Sequence, residues 1–205
     1  MDNDEVKNVT TDAEPAEPKR ARILEAAMRL VLAYGFSRTT MGDIASAAEM
    51  SRPALYLLFK NKTEIYRAIA EQLLDGSVAQ AGVILRREGP FAERMMMMIE
   101  ECLIAMMRHI AVSPHGAEIL DMKSRLAGDL HAAWRSRLGA LVTAAVVDEA
   151  RRNGVDLQAR GLSAPLLSAL LLDGLEGMKM RIPDPDEQRV AARGLVRVVE
   201  IAIQG

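Results

Sequence analysis

The chain has 205 residues, 50% hydrophobic, 26% charged and only 3% aromatic, a balance that excludes a wholly disordered polypeptide and fits one or two domains with a core of Leu, Ala, Val, Ile and 13 Met. Cys102 is the single cysteine, so no intrachain disulfide is possible; with no 18-residue uncharged apolar run and no basic-then-apolar leader, neither a membrane span nor a secretory signal is expected, and a cytoplasmic location is. The net charge of -2 is segregated: residues 1–18 carry -5, residues 19–67 carry +5 and the remainder -2, so a small basic module sits beside an acidic segment and suggests an anionic partner.

Residues 1–18 have no apolar periodicity and contain Pro15 and Pro18, and are expected to form a disordered acidic arm. From Lys19 the pattern changes. Ile23, Leu24, Ala27, Leu30, Val31 and Tyr34 fall on one stripe of a 3.6-residue period, and Gly35 ends that helix by accepting a left-handed cap. A short second helix is predicted over 41–48, capped by Thr39 or Thr40, with Thr40 and Asp43 forming an imperfect capping box. Ser51 caps a third helix over 52–59, with Pro53 in its first turn where a missing N–H costs nothing. Asn61, followed by Glu64, starts a fourth helix at Lys62 that runs to about residue 87, before Gly89-Pro90.

Every later segment again reads as helix. One is expected over 91–112, a short one near 117–126, a long one over 129–152 closed by Asn153-Gly154, one from the Ser163 cap to residue 181, and a last one over 186–204. No internal repeat or alternating strand pattern occurs. The fold class is all-α: a helix-turn-helix module of three helices over 19–67, then a larger helical bundle over 68–205, about nine helices in total.

The spacing within 40–59 is the informative feature. Two short helices are separated by the tight turn Glu49-Met50-Ser51, and the second carries Arg52 and Tyr56 four residues apart, hence on one face. In a helix-turn-helix the second helix enters the DNA major groove with its N-terminal residues first. Arg52 is the candidate for reading guanine through a bidentate contact, or for binding phosphate. Thr39, Thr40, Lys60 and Lys62 flank helix starts whose free N–H groups favour anions, and Gly42, Ser51 and Pro53 complete the candidate DNA-binding set. Ile44, Ala45, Ala48, Leu55 and Phe59 are left to pack inward.

On these residues the segment 21–67 resembles the N-terminal domain of the TetR family of bacterial transcriptional regulators. The likeness is carried by the stripe over 23–32, Gly35-Phe36, Thr39-Thr40, Asp43-Ile44-Ala45, Ser51, Leu55-Tyr56, Phe59-Lys60-Asn61-Lys62 and Glu64. Two positions depart from the family pattern. Glu49 stands where the turn usually has glycine, and Gly42 where many relatives place a larger side chain that can reach DNA.

The resemblance implies a repressor that binds a pseudo-palindromic double-stranded operator as a homodimer and is released by a small effector. In the body, a run of Met and Ile over 95–110, apolar on nearly every side, suggests either plain core or a pocket for an apolar effector lined by Met95, Met98, Cys102, Met106, Met122 and Leu170. The two last helices carry more apolar surface than a terminal hairpin needs, and Leu167, Leu171, Leu175, Met178, Leu195, Val199 and Ala202 are the expected dimer contacts. Two-fold symmetry would set the recognition helices about 34 Å apart. No phosphate loop, nucleophile elbow or H-E-x-x-H pair is present, and His109, His115 and His131 are dispersed, so no enzyme, cofactor or metal site is expected. The competing reading is a helical interaction module whose basic patch meets an acidic protein.

Overall fold

The computed structural model describes residues 16–105, 108, 110, 112–119 and 126–204. The expected acidic arm therefore lies, through residue 15, outside the described residues, as do Met106, His109 and Met122. The described elements are all helical: α1 (Ala16–Tyr34), α2 (Met41–Ala47), α3 (Arg52–Leu58), α4 (Lys62–Leu85), α5 (Phe91–Ile99), α6 (Gly128–Arg152), α7 (Ala164–Arg181) and α8 (Pro185–Ile203), with a π-helical turn (Glu100–Ile104) continuing α5. None of them is long and apolar enough to cross a membrane.

The first helix begins at Ala16 rather than Lys19. Pro18 falls in its first turn, where no intrahelical N–H is required, so it marks the start rather than forbids it. Helix α4 stops at Leu85, two residues earlier than expected. The caps otherwise follow the side-chain chemistry: the side chains of Thr40, Ser51, Asn61 and Ser163 accept from the backbone N–H three residues on.

Two large clusters of buried side chains lie along the chain. Ile23, Ala27, Ile44, Leu55 and Phe59 close a small one under α1–α3. A larger one gathers the second half of α4 with α5, α6, α7 and α8 around Met95, Met98, Leu138, Leu171 and Ile203. Helix α4 serves both, giving Ile65, Ala68 and Ile69 to the first and Val78, Ala81, Ile84 and Leu85 to the second. The boundary expected at residue 67 thus falls inside one continuous helix.

The long fifth helix expected over 91–112 is interrupted. At Glu100–Ile104 the backbone takes a π turn, which inserts a residue into the hydrogen-bond ladder and frees a carbonyl. Ser77 Oγ on α4 donates to the carbonyl of Cys102 at 3.1 Å, and Trp134 Nε1 on α6 donates to Ser77 Oγ at 3.3 Å. Burial pushes the Cys102 thiol up to about 11, which suppresses the nucleophilic thiolate at neutral pH.

Three of the expected pocket residues are core. Met95, Met98 and Cys102 are buried, and Leu170 points out to solvent at 55% exposure. One cavity among the described body residues lies beside Leu103, Trp134, Leu138, Leu172 and Leu175, under Arg135, Glu176 and Lys179, with about 10 Å³ of free space, the size of one water.

The residues expected as dimer contacts on the last two helices lie in or against this chain's own core. Leu167, Leu171, Leu175, Met178 and Val199 are buried in this chain's own core, and Leu195 and Ala202 are half-buried against it. The apolar side chains left outside are Leu166, Leu170 and Met180 on α7 and Val190, Val198 and Ile201 on α8. Neighbouring residues on a helix point about 100° apart. A segment apolar all round, such as 166–172, therefore carries one stripe for the core and another one residue away. Gly174 allows α7 and α8 to close up, since a Cβ there would stand 2.8 Å from Leu195.

Candidate nucleic-acid interface

Helices α2 and α3 meet through a turn that the side-chain pattern builds in detail. Thr40 Oγ1 accepts from the Asp43 N–H at 3.2 Å, while Asp43 Oδ2 accepts from the Thr40 N–H at 2.9 Å, a reciprocal cap that uses aspartate in place of glutamate. The Thr40 hydroxyl also donates to Asp43 Oδ2, and these bonds hold the Asp43 carboxyl below its usual range. Helix α2 closes with the Met50 N–H on the Ala45 carbonyl and the Glu49 N–H on the Ser46 carbonyl, a Schellman pair that requires a left-handed residue between them. Glu49 supplies it at φ +55°.

Helix α3 then turns Leu55 inward and leaves Arg52, Tyr56 and Leu57 outside. Tyr56 is 49% exposed and Leu57 87%, so the outward position expected for Arg52 and Tyr56 is the one observed. The Arg52 guanidinium lies along α2, where a Cβ on Gly42 would come within 3.4 Å of it. Gly42 thus contributes room rather than a contact. Ser51 and Pro53 are exposed at the start of α3, and Lys60 is exposed just beyond its end. Leu57 was missed by the sequence reading; its only signal is that it lies 100° from Tyr56 and opposite neither core position.

Two of the expected phosphate-facing groups do something else. Thr39 is buried, and its hydroxyl donates to the Gly35 carbonyl at 2.7 Å. Lys62 Nζ donates to the carbonyls of Phe36 at 2.8 Å and Thr39 at 3.1 Å, reaches that of Ser37 at 3.4 Å, and lies 4.4 Å from the centre of the Phe36 ring. Its three N–H donors are consumed in latching the α1–α2 loop to the start of α4, which leaves none for an anion. Both residues are positioning groups for the module.

Residues 23–69 match the family model of bacterial regulatory proteins, tetR family. The segment is 43% identical over 60 residues to the HTH-type transcriptional regulator TtgR of Pseudomonas putida, covering 29% of each chain; the chain thus spans about 29% of the length of the first curated relatives it matches. A longer match, 27% identical over 182 residues and covering 85% of this chain and 88% of the other, is to the HTH-type transcriptional repressor Rv1474c of Mycobacterium tuberculosis. Among solved structures, Thermus thermophilus FadR, a TetR family transcriptional repressor in complex with lauroyl-CoA, superposes with a TM-score of 0.58 at 20% identity, covering 91% of this chain and 95% of that one. The N-terminal segment of the chain is a TetR-family regulatory module.

Both departures of this TetR-family module from the family pattern find a physical account. Glu49 keeps the left-handed turn at the cost of about 1 kcal/mol of Cβ strain, and Gly42 is matched by the Arg52 side chain lying across it. A further feature was not legible in the sequence: among the described residues, hydrogen bonds from Ser37, Tyr66 and Arg67 tie the module to the body. The Glu118 carboxylate accepts from the Ser37 N–H at 2.9 Å and the Ser37 hydroxyl at 2.6 Å. Tyr66 Oη donates to the Ile119 carbonyl at 3.1 Å, with its ring edge-on to Phe36. Arg67 grips Asp129 with both Nη atoms, at 2.9 and 2.6 Å, and also donates to the Leu126 carbonyl. These partners are 53 to 81 residues apart, a range that no periodicity argument reaches.

Two expected results arise from this geometry. Lys62→Ala removes the latch and leaves part-buried carbonyls bare, lowering the stability of the TetR-family module by about 2 kcal/mol in urea unfolding. The slope of DNA affinity against salt stays unchanged, because no phosphate contact is lost; a slope reduced by about 1 at full stability would instead restore Lys62 as a phosphate ligand.

The second concerns acid. The Arg67 hydrogen bonds hold Asp129 down to about 2, and the Ser37 bonds lower Glu118. A carboxylate depressed on folding stabilises above its unfolded value, near 4, and that contribution is lost as pH falls towards the folded value. The junction therefore weakens between about pH 4 and 2. In urea titrations the gap in midpoint between the parent and Asp129→Asn closes over that interval, and a gap independent of pH would contradict the assignment.

Proposed function

We propose that this chain is a repressor that binds a pseudo-palindromic operator as a homodimer, with α3 in the major groove, and that a small apolar effector releases it. The observation that carries the reading is the outer side of α3: an arginine, a tyrosine and a leucine stand exposed on a helix of seven residues whose inner side is held by Leu55. Arg52 supplies a fork for guanine O6 and N7, Tyr56 a phenol for phosphate, and Leu57 an apolar surface for a thymine methyl. Lys60 and the free N–H groups at the starts of α2 and α4 track the backbone.

Dimerisation would cover the outer stripe of α7 and α8, forming a four-helix interface that fixes the spacing of the two reading helices. The effector site is assigned to the cavity under Trp134, which must enlarge to admit a ligand. An effector can shift the DNA-bound state only by its difference in affinity for the two arrangements, typically about 1–3 kcal/mol. FadR's complex with lauroyl-CoA supports the idea that a bundle of this shape opens for an acyl chain.

The test is binding of the purified chain to duplexes from the DNA upstream of its coding region. Affinity is expected to fall steeply with salt and to centre on an inverted repeat, and Arg52→Ala is expected to cost about 10- to 100-fold in discrimination at one base pair per half-site. Salt-dependent binding to an acidic protein with no duplex retained would favour an interaction module instead. Effector binding is read from the fluorescence of Trp134, the sole tryptophan.

A further inference from the structure

The acidic stretch before α1 has no part in the function above, yet its charge and its point of attachment single out a destination. We propose that residues 1–15 of this chain dock across the outer side of α3 and compete there with DNA, as a tethered mimic of the phosphate backbone. The stretch carries Asp2, Asp4, Glu5, Asp12 and Glu14 against Lys7 alone. The module it precedes, residues 19–67, carries nine Lys and Arg against four acids, and Arg52 and Lys60 stand exposed at the two ends of α3.

The attachment point is close to this surface. One turn into α1, the Arg20 guanidinium lies 4.7 Å above the Phe59 ring, the residue that caps α3. Ala16, where the stretch joins α1, is about 6 Å of helix rise from Arg20, and α3 is about 10 Å long. Fifteen residues reach up to about 50 Å, several times what is needed to cover α3 from end to end. Carboxylates at Asp2, Asp4 and Glu5 can meet Arg52 while Asp12 and Glu14 remain near Lys60, and Val6 and Val9 supply apolar groups for Leu57, which is 87% exposed.

Tethering replaces a weak bimolecular contact by one at roughly millimolar effective concentration. Occupation of α3 by the segment lowers the apparent affinity for random and operator duplexes by the same factor, because both need the same free surface.

The contact itself can be tested without DNA. Backbone amide resonances of residues 51–60 are compared between the full chain and a variant with Asp2→Asn, Asp4→Asn, Glu5→Gln, Asp12→Asn and Glu14→Gln, which keeps the length. Shifts confined to α3 and its flanks, disappearing at high salt as charges are screened, are expected; identical spectra over 51–60 overturn the docking. At low salt the neutralised variant is expected to bind random-sequence and operator duplexes alike about 5- to 10-fold more tightly than the parent. No gain on either duplex overturns the competition. If neither protein retains any duplex, the DNA-binding reading of α3 fails and the competition with it, while the amide comparison still decides the docking.

Discussion

Replacing Leu170 by arginine leaves a folded monomer whose operator affinity is at least about 100-fold below that of the parent, since two linked half-sites commonly gain 10²- to 10⁴-fold over one. Leu170 is more than half exposed at the centre of the outer stripe of α7 and contributes nothing to the core of its own chain, so a charge there disturbs association and spares folding. The neighbouring substitution gives the contrast. Leu171 is 1% exposed in the body core, and Leu171→Arg is expected to prevent folding altogether by burying an unpaired charge. Sedimentation separates the cases: a Leu170→Arg protein that remains dimeric at micromolar concentration and binds operator normally would reject this stripe as the interface.

Replacing Arg94 by alanine costs about 3–5 kcal/mol, the range found when one member of a buried ion pair is removed. Arg94 is 5% exposed at the start of α5. Its guanidinium donates to the Leu85 carbonyl at 2.6 Å, to the Gly89 carbonyl at 3.2 Å and to Glu149 Oε2 at 2.8 Å, so one side chain ties together the end of α4, the loop after it and the end of α6. Alanine leaves the Leu85 and Gly89 carbonyls without their donor and strips Glu149 of one of its two arginines. Thermal or urea unfolding that showed less than about 1 kcal/mol for Arg94→Ala would mean that water replaces the guanidinium at little cost.

The local features of this fold were legible in its sequence because they are written in residues three or four apart. Thr40 with Asp43, Ser51 with Pro53, and Asn61 each announced a helix start that the structure contains. The exposed positions of Arg52 and Tyr56 followed from a single period. Residue types alone did not reveal what an individual polar group bonds to. Lys62 looks like any surface cation until Phe36 and Thr39 are seen to fold over it, and Thr39 looks like a second cap until its hydroxyl is found turned back to Gly35. The same limit explains the dimer surface: where 166–172 is apolar at six of seven positions, periodicity cannot say which of two stripes faces the core. The π turn at Glu100–Ile104 left no mark at all, since Glu-Glu-Cys-Leu-Ile would sit as comfortably in an ordinary helix.

Helix α4 carries a mechanical consequence. Its 24 residues make a rod about 36 Å long, with one end built into the core beneath the reading helix and the other into the body. Tilting such a rod by about 5° about its far end swings the near end by roughly 3 Å, almost the separation of adjacent base pairs. Because each subunit of a symmetric pair would swing in the opposite sense, small repacking around Ile84 and Leu85 is enough to put two reading heads out of step with the helical repeat of DNA.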